Sequence, residues 1–364
     1  MKIKDIIKAL EEFAHPSIQE SYDNAGLLVG DPYREVQSAL LTIDVIPEVI
    51  EEAIRGNHGI IISHHPLVFS GLKRLTGRNW VERTVIQAVK NDIAIYASHT
   101  NMDAVTGGVN SRICQKLGLR QCMILAPMKD VLCKLVTFIP PDYAEKVRDA
   151  VFSAGAGKIG AYDKCSFNTT GQGTFRASDK AKPFTGKKGE LHYEEEIRFE
   201  TVFPRCQQNN ILRALLNAHP YEEVAYDIYS LDNSFGLAGA GMIGTLSRET
   251  DEFAFLKKVK RIFGSGIIRH TKPTGRKVKK IAVCGGSGSS LLGTAISAGA
   301  DVFVTADFKY HQFFDADNRI LVADIGHYES EQFTKEIFYE ILNKKFPNFA
   351  LHFSEINTNP VNYL

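Results

Sequence analysis

Short apolar segments alternate with helix-periodic segments in the first third of the chain. Ala39–Ile43, Gly59–Ser63 and Ile93–Ser98 consist largely of aliphatic residues, and the intervening segments Pro47–Arg55 and Val81–Lys90 place apolar residues on one helical face. Strands that are apolar on both faces are typical of a parallel or mixed sheet that helices cover. The alternation therefore predicts an α/β fold.

The last third of the chain repeats this order. Lys280–Cys284, Val302–Thr305 and Ile320–Asp324 are predicted strands, and a long amphipathic helix is predicted from Tyr328 to Lys345. The segments LLTID, GIIISHH and IAIYASHTNMD correspond in order and polarity to IAVCG, DVFVTADF and ILVADIGHYESE. We interpret this correspondence as a weak internal duplication, in which two half-sheets face one another.

The middle of the chain has a different order of strands and helices. Its elements follow the order strand, helix, strand and again strand, helix, strand, with a glycine- and lysine-rich loop between the two halves and the glycine-rich stretch Phe235–Gly244 at the end. This is the order of a ferredoxin-like domain. Because 364 residues exceed the ~100–200 of one typical domain, we predict a discontinuous core. It comprises residues 1–128 and 245–364, a duplicated α/β strand–helix core with mixed sheets, interrupted by a ferredoxin-like α+β insert of residues 129–244.

The composition limits which partners we expect the protein to bind and in which compartment we expect it. Lys and Arg number 43 against 42 Asp and Glu, a net charge of +1, which argues against a nucleic-acid partner because phosphate binding usually needs a basic surplus. No apolar run approaches the ~18 residues of a membrane span, and the N-terminal segment is typical of a helix rather than of a secretory signal. Six scattered cysteines without a CxxC pair are expected to be free thiols. We therefore expect a cytoplasmic protein without membrane contact.

Adjacent histidines follow one of the buried strands. His64 and His65 come directly after GIIIS, and Pro66 ends that strand. Where a strand breaks, both side chains can turn into one crevice and bind different metal ions, since imidazole is the commonest metal ligand. Two solvated loop histidines are the equally weighted alternative.

Histidine and acid recur at the ends of two further strands. The strand IAIYAS leads into His99 and Asp103, either of which could be a ligand, although Asp103 alone would suit the start of a turn. His327 and Glu331 follow the strand that ends at Asp324 and are four residues apart, so on a helix they share one face. An ordinary acidic helix start would explain Glu331 but not His327.

Taken together, these strand ends supply three histidines and two carboxylates. Ligands of open α/β sheets gather in the crevice outside the carboxyl ends of the strands. Five ligands exceed the three that a catalytic zinc ion usually takes from the protein. They suit two divalent ions per chain, with zinc expected and Mn, Fe or Ni as alternatives. The predicted metal ligands are His64, His65, Asp103, His327 and Glu331.

A second group of residues is assigned to support or substrate binding. The segment CGGSGSS lies between a strand and a helix, where bare amides can bind an anion, but a tight turn explains Ser287 and Ser289 equally well. Asp307, Lys309 and His311 end the neighbouring strand, and His99 belongs to the same group if it is not a ligand. No GxSxG elbow or thiol motif is present, so the catalytic residues stay unassigned.

These motifs resemble a known family. YDNAGLLVGD, SHHP, SHTNMD, CGGSGSS, TADFKYH and GHYESE, in this order, resemble the NIF-three-like family, also called GTP cyclohydrolase type 2 homologues. The resemblance covers both outer thirds, and the middle is similar to the PII/CutA-like insert of the long bacterial members. It implies a dinuclear divalent-metal site with the same five ligands and with Glu331 bridging the ions. It also implies a toroidal homohexamer, a trimer of dimers, with the inserts capping the ring.

Two functions are compatible with these residues and motifs. The first is a metal-dependent hydrolase that acts on a nucleotide or a related small molecule; a cyclohydrolase reaction would need a general acid or base, for which His99 and His311 are the candidates. The alternative is a non-enzymatic metal-handling or regulatory ring protein whose insert senses a small effector.

Overall fold

The computed structural model describes every residue from Met1 to Leu364. Fifteen strands succeed one another along the chain: β1 Gly26–Val29, β2 Ser38–Thr42, β3 Ile60–Ser63, β4 Ala94–Ala97, β5 Arg120–Met128, β6 Leu132–Ile139, β7 Ser166–Arg176, β8 Leu191–Pro204, β9 Tyr226–Leu231, β10 Phe235–Thr250, β11 Arg269–His270, β12 Val278–Ser287, β13 Val302–Ala306, β14 Leu321–Asp324 and β15 Ala350–Phe353. Eleven α-helices lie among them: α1 Ile3–Phe13, α2 Pro47–Arg55, α3 Trp80–Lys90, α4 Thr100–Ala104, α5 Val109–Leu117, α6 Ala144–Ser153, α7 Gln208–Ala218, α8 Glu252–Phe263, α9 Leu292–Ser297, α10 His327–Glu331 and α11 Thr334–Lys345. None of these helices combines the length and the apolar character that a membrane crossing requires.

The chain divides into two compact units. One comprises Met1–Pro127 with Leu237–Leu364, and the other comprises Met128–Gly236. The first unit contains a five-stranded sheet in the order β1-β4-β3-β2-β15 and a six-stranded sheet in the order β11-β14-β13-β12-β10-β5. Both sheets are mixed: the parallel strands of the first have one antiparallel neighbour, β1, and those of the second have two, β11 and β10.

The two sheets share a topology. Strands β2, β3 and β4 are parallel neighbours with β1 added antiparallel beside β4, and β12, β13 and β14 are parallel neighbours with β11 added antiparallel beside β14. In each half the antiparallel strand precedes the three parallel strands along the chain. This repetition matches the duplication inferred from sequence order and polarity.

The main core of this unit lies between the two sheets. It joins inward-facing residues of both sheets, such as Ile62 and Val304, to apolar residues of α1, α5, α8 and α11. Smaller clusters cover the outer faces, with α2 and α3 on the first sheet and α9 on the second. Because the strands are buried on both faces, their side chains are apolar and the polar groups accumulate at the strand ends.

The second unit is a four-stranded antiparallel sheet in the order β7-β8-β6-β9. Helices α6 and α7 pack on one face, over a core that includes Leu135, Val147, Phe199 and Leu215. The glycine- and lysine-rich stretch that we expected to be a loop is partly strand, since β7 continues to Arg176 and pairs with β8 over its whole length.

Two further sequence expectations differ from the structure. The glycine-rich stretch Phe235–Gly244 is part of the long strand β10, which runs through the predicted domain limit and pairs with β12 from Met242 onward. The predicted helix from Tyr328 to Lys345 is interrupted between α10 and α11. There the Thr334 hydroxyl donates to the Glu331 carbonyl at 2.7 Å, and such side-chain bonds compete with the helical ladder.

Excision of the second unit should leave a folded, metal-binding core. If Pro127 is joined to Leu237 by a short flexible linker, we expect a soluble protein with unchanged metal stoichiometry, because the apolar core of Met128–Gly236 is built from its own residues. Circular dichroism and elemental analysis measure this. A truncated chain that aggregates and holds no metal would contradict the prediction.

Candidate metal centre

The adjacent histidines lie where β3 ends. The His65 amide donates to the Ile43 carbonyl at 2.9 Å, which keeps both residues against the neighbouring strand end. His64 Nδ1 lies 3.0 Å from the Ser98 carbonyl oxygen and His65 Nδ1 lies 2.7 Å from Asp44 Oδ1. Since these acceptors take the Nδ1 protons, the Nε2 atoms of both rings are the ones directed to the centre.

The third histidine begins α10. Gly326 adopts φ 96° immediately before it, a left-handed conformation that turns the chain sharply after β14. His327 Nδ1 lies 2.7 Å from Asp307 Oδ2, so Asp307 orients this ring as Asp44 orients His65. One helical turn later, Glu331 projects from the same face.

Glu331 Oε2 is the point at which the histidines meet. It lies 2.9 Å from His65 Nε2, 3.1 Å from His327 Nε2 and 3.6 Å from His64 Nε2. The Nε2 atoms of His65 and His327 are only 3.3 Å apart. The Glu331 side chain is 3% exposed and the His64 side chain is fully buried. Three imidazole nitrogens thus surround one buried carboxylate oxygen. Positive charge among these atoms would stabilise the buried carboxylate.

Two buried polar atoms in this cluster have no hydrogen-bond partner. His64 Nε2 and Asp103 Oδ1 are 3.5 Å apart, beyond good hydrogen-bond geometry, and both are shielded from solvent. Leaving such atoms unsatisfied is costly, so buried orphans indicate an additional partner. An imidazole nitrogen and a carboxylate oxygen are both ligands of divalent metals, and the residues present therefore fit a metal ion.

The ligand atoms form two overlapping groups around Glu331. Those of His65, His327 and Glu331 all lie within 4.8 Å of one another, and so do those of His64, Asp103 and Glu331. A third group combines His64 and His65 with His99. All five predicted ligands are thus brought together, with His99 beside them.

The ionisable groups of the cluster shift one another's pKa values. Burial, reinforced by Glu331, raises the pKa of Asp103 to about 8. Burial also disfavours ionisation of Glu331, but His327 and His64 outweigh it and hold its pKa well below the usual value. For His327, burial is outweighed by Glu331 and Asp307, which raise its pKa to about 11. Protons on His327 and Asp103 would compete with a metal ion for the same atoms, so binding of a metal ion here would release protons.

The backbone at Gly286 passes close to the Glu331 side chain, and this position requires a residue without a Cβ atom. A Cβ added at Gly286, where φ is 58°, would lie 2.4 Å from Glu331 Oε1. The amides of Gly285 and Gly286 donate to Asn110 Oδ1 and Ser330 Oγ, both at 2.9 Å. The glycine-rich segment that we considered as an anion site thus uses these two amides within the fold.

The remaining predicted residues differ in whether they contact the metal-ligating cluster. Asp307 joins the site through its contact with His327. Ser287 is exposed, Ser289 Oγ accepts from Gln312 at 3.0 Å, and Lys309 and His311 are exposed. The structure places none of these last four within the groups of clustered metal-ligating atoms.

Two carboxylates at the site were not predicted from the sequence. Asp44 follows β2 at the same sheet edge as the histidine pair, and Asp23 Oδ1 lies 2.8 Å from His99 Nδ1 while Asp23 Oδ2 accepts from the Thr100 amide at 3.0 Å. Burial would raise the pKa of Asp23, but the bonds to His99 and Thr100 outweigh it and lower that pKa. The strand-end rule that selected His64 could have found Asp44, whereas Asp23 precedes a short strand that the sequence did not predict.

Known proteins resemble this chain in sequence and in fold. The profile of the Duf34/NIF3 (NGG1p interacting factor 3) family matches residues 1–360. A Bacillus subtilis protein named GTP cyclohydrolase 1 type 2 homolog is 38% identical over 367 residues, covering 99% of this chain and 98% of its own. The crystal structure of a Bacillus cereus protein related to NIF3 superposes with a TM-score of 0.86 at 36% identity, covering 100% of this chain and 99% of the other. The Staphylococcus aureus protein SA1388 superposes with a TM-score of 0.79 at 30% identity, covering 100% and 99%.

Proposed function

The chain belongs to the Duf34/NIF3 family, and we propose that it binds two divalent metal ions per chain and uses them as a hydrolase of a nucleotide or a related small molecule. One ion would be held by His64, Asp103 and Glu331, and the other by His65, His327 and Glu331. The observation that carries this proposal is the membership of Glu331 in both ligand groups, together with the orphaned atoms His64 Nε2 and Asp103 Oδ1.

Zinc is the ion that we expect in this site. Its ligands in proteins are imidazole nitrogens, carboxylate oxygens and thiolates, and Mn, Fe and Ni accept the same mixed nitrogen and oxygen set. When bound, such ions lower the pKa of coordinated water towards ~7 and polarise a substrate oxygen. The protein's own contribution is orientation, because Asp44, Asp307 and the Ser98 carbonyl hold the three ring Nδ1 atoms.

His99 is the candidate for proton transfer. Its Nδ1 lies 2.8 Å from Asp23 Oδ1, so Nε2 is the ring nitrogen that is left to exchange a proton with a substrate. His99 packs against both neighbouring imidazoles, with ring centroids 5.3 Å from His64 and 5.4 Å from His65. This position lets it accept or return a substrate proton beside the ions.

An aromatic rim supports a planar substrate. The Phe69 ring meets the His99 ring edge-on at 6.4 Å, and the Tyr22 ring lies 6.3 Å from Phe69. Tyr22 and Phe69 are 62% and 49% exposed, so both rings are accessible beside the polar centre. A heterocyclic base can stack on them, and the exposed Lys309 and His311 are available to an attached phosphate.

The proposal also covers the fold type of the second unit and the oligomeric state of the protein. The antiparallel order β7-β8-β6-β9 with two helices on one face supports a ferredoxin-like insert of the PII/CutA type. From the family resemblance we propose a cytoplasmic homohexamer, a trimer of dimers in which Glu331 bridges the two ions of each chain.

One observation favours a non-enzymatic alternative. Because the Gly285 and Gly286 amides are already bonded to Asn110 and Ser330, two donors that could bind a substrate phosphate are occupied. A protein that stores or senses metal would need the ligand cluster but not such donors. In that case the insert would be the part that binds a small effector.

The distinguishing experiment combines metal analysis with a turnover assay. Protein purified without chelator should contain about two divalent ions per chain, since five ligands exceed one site. The zinc- and manganese-loaded forms are then assayed with nucleoside triphosphates, monophosphates and phosphodiesters, with the chelated protein as the control. Metal-dependent turnover supports the hydrolase; two ions without turnover select the alternative. A metal content near zero ions per chain at saturating metal would contradict both proposed functions.

A further inference from the structure

The second unit contains a cavity of about 450 Å³. Phe138 of β6, Phe175 of β7 and Glu196 of β8 line it. By strand alternation these residues lie on the sheet face opposite the one that α6 and α7 cover. Residues 181, 183–185 and 221–223 complete its wall. Its volume is in the range of ligand pockets for small organic molecules.

Four aromatic rings form much of the lining. Phe138, Phe175, Phe184 and Tyr221 all face the cavity. The Phe184 and Tyr221 rings contact each other with centroids 6.0 Å apart, and Tyr143 packs edge-on against Phe184 at 5.4 Å. Phe184 nevertheless remains 51% exposed. Ring faces that are held open in this way are available to a ligand.

All the charged residues of the lining are acidic. They are Glu196, Glu222 and Glu223, and no lysine or arginine contributes to the wall. Tyr221 Oη donates to Glu196 Oε1 at 3.0 Å, and the Lys182 amide donates to Glu222 Oε1 at 2.6 Å. These bonds hold two carboxylates in place without neutralising their charge.

Glu196 has an oxygen that no protein group satisfies. Its Oε2 accepts no hydrogen bond, and it lies so close to β7 that a Cβ at Gly173 would be 2.1 Å away. Burial, with a smaller contribution from Glu194, raises the pKa of Glu196 against the opposing bond from Tyr221. Arg198, two residues along β8, is bonded to Glu200 at 2.8 Å and lies over the Phe138 ring, 5.9 Å from its centroid. Its charge is thus paired with Glu200 rather than with Glu196.

We infer that this cavity binds an organic ammonium ion with apolar substituents. Aromatic faces attract a cation through their quadrupole, most strongly when water is excluded, and the three carboxylates attract the same charge. The volume is far larger than a metal ion requires, which selects a cation with an organic body. This inference does not rest on the proposed hydrolase, since the cavity residues all lie in Met128–Gly236 and the metal ligands lie in the other unit.

The test is calorimetric titration of the full-length protein with two quaternary ammonium probes, choline and the bulkier benzyltrimethylammonium. Both should bind with one site per chain, the bulkier probe more tightly. The carbon isostere of choline, in which carbon replaces the charged nitrogen, should bind at least about tenfold more weakly because it lacks the cation–π attraction.

Variants identify the site. Glu196→Gln keeps the shape and the bond from Tyr221 but removes the charge, and it should weaken binding of both ammonium probes by about tenfold or more. Phe184→Leu removes one ring from a partly exposed position and should weaken binding as well. Glu195→Gln is the matched control, since Glu195 is exposed on the opposite sheet face and should change nothing. Failure of both probes to bind, equal affinity for the isostere, or unaltered affinity in Glu196→Gln would each overturn the inference.

Discussion

Glu331→Gln is expected to weaken both metal sites together. The glutamine keeps the shape of the side chain but removes the only carboxylate that belongs to both ligand groups. Loss of a residue that merely orients a ligand typically costs ~10–100-fold in metal affinity, and the loss of a ligand should cost at least that much. Calorimetric zinc titration measures both affinities, and circular dichroism should show an unchanged fold because Glu331 lies at a helix end beside the strand ends.

Two comparison variants sharpen this experiment. His64→Ala should weaken mainly one site, since His64 shares a group with Asp103 but not with His327. Glu340→Gln is the control, because Glu340 lies on the surface of α11 with a 61% exposed side chain paired to Arg112. Two undisturbed sites in Glu331→Gln would remove this residue from the ligand set.

Removal of the metal ions should lower the melting temperature by about 10 °C. A ligand present at 100 times its Kd stabilises the native state by ~2.7 kcal/mol, so two occupied sites contribute about 5 kcal/mol. For domains of ~150–250 residues each kcal/mol shifts the melting temperature by ~2–4 °C. The metal-free protein also retains the orphaned His64 Nε2 and Asp103 Oδ1 in its interior.

Differential scanning calorimetry with and without chelator measures this shift. Readdition of zinc in excess of the chelator should restore the original transition, and Glu331→Gln should show less than half of the metal-dependent difference. A melting temperature that does not respond to chelation in protein shown to contain metal would contradict the coupling between metal binding and stability.

The outline of the fold was readable from local patterns. Apolar strands such as Ile60–Ser63 and helices such as Pro47–Arg55 were predicted to within about two residues. Burial on both faces and helical periodicity each produce a pattern in residues that are close along the chain, so the sequence alone reveals them. Five strands were not predicted: the short edge strands β1, β11 and β15, the longer edge strand β5 and the long strand β10. The first three have at most four residues. All five pair with strands that are distant along the chain, and this pairing rather than a local pattern stabilises their strand conformation.

The candidate site divides in the same way. His64, Asp103 and His327 were found because each follows a strand end, and Glu331 because it lies one turn after His327. Asp44 obeys the same rule, but a single acid after a strand is common, and only its 2.7 Å contact with His65 distinguishes it. Asp307, in contrast, was predicted to support the site or to bind substrate, and in the structure its carboxylate contacts His327 and orients that ring.

The sequence by itself determined the alternation of the central strands and helices in the two outer thirds, their duplicated pattern and the i, i+4 pairing of His327 with Glu331, since each depends on residues that are close along the chain. Only the tertiary structure decided that Glu331 meets His65, 266 residues away, and that His64 Nε2 and Asp103 Oδ1 are buried without partners. Contacts of this kind arise when two sheets pack on one core, and packing depends on the shape of whole surfaces that no local pattern contains.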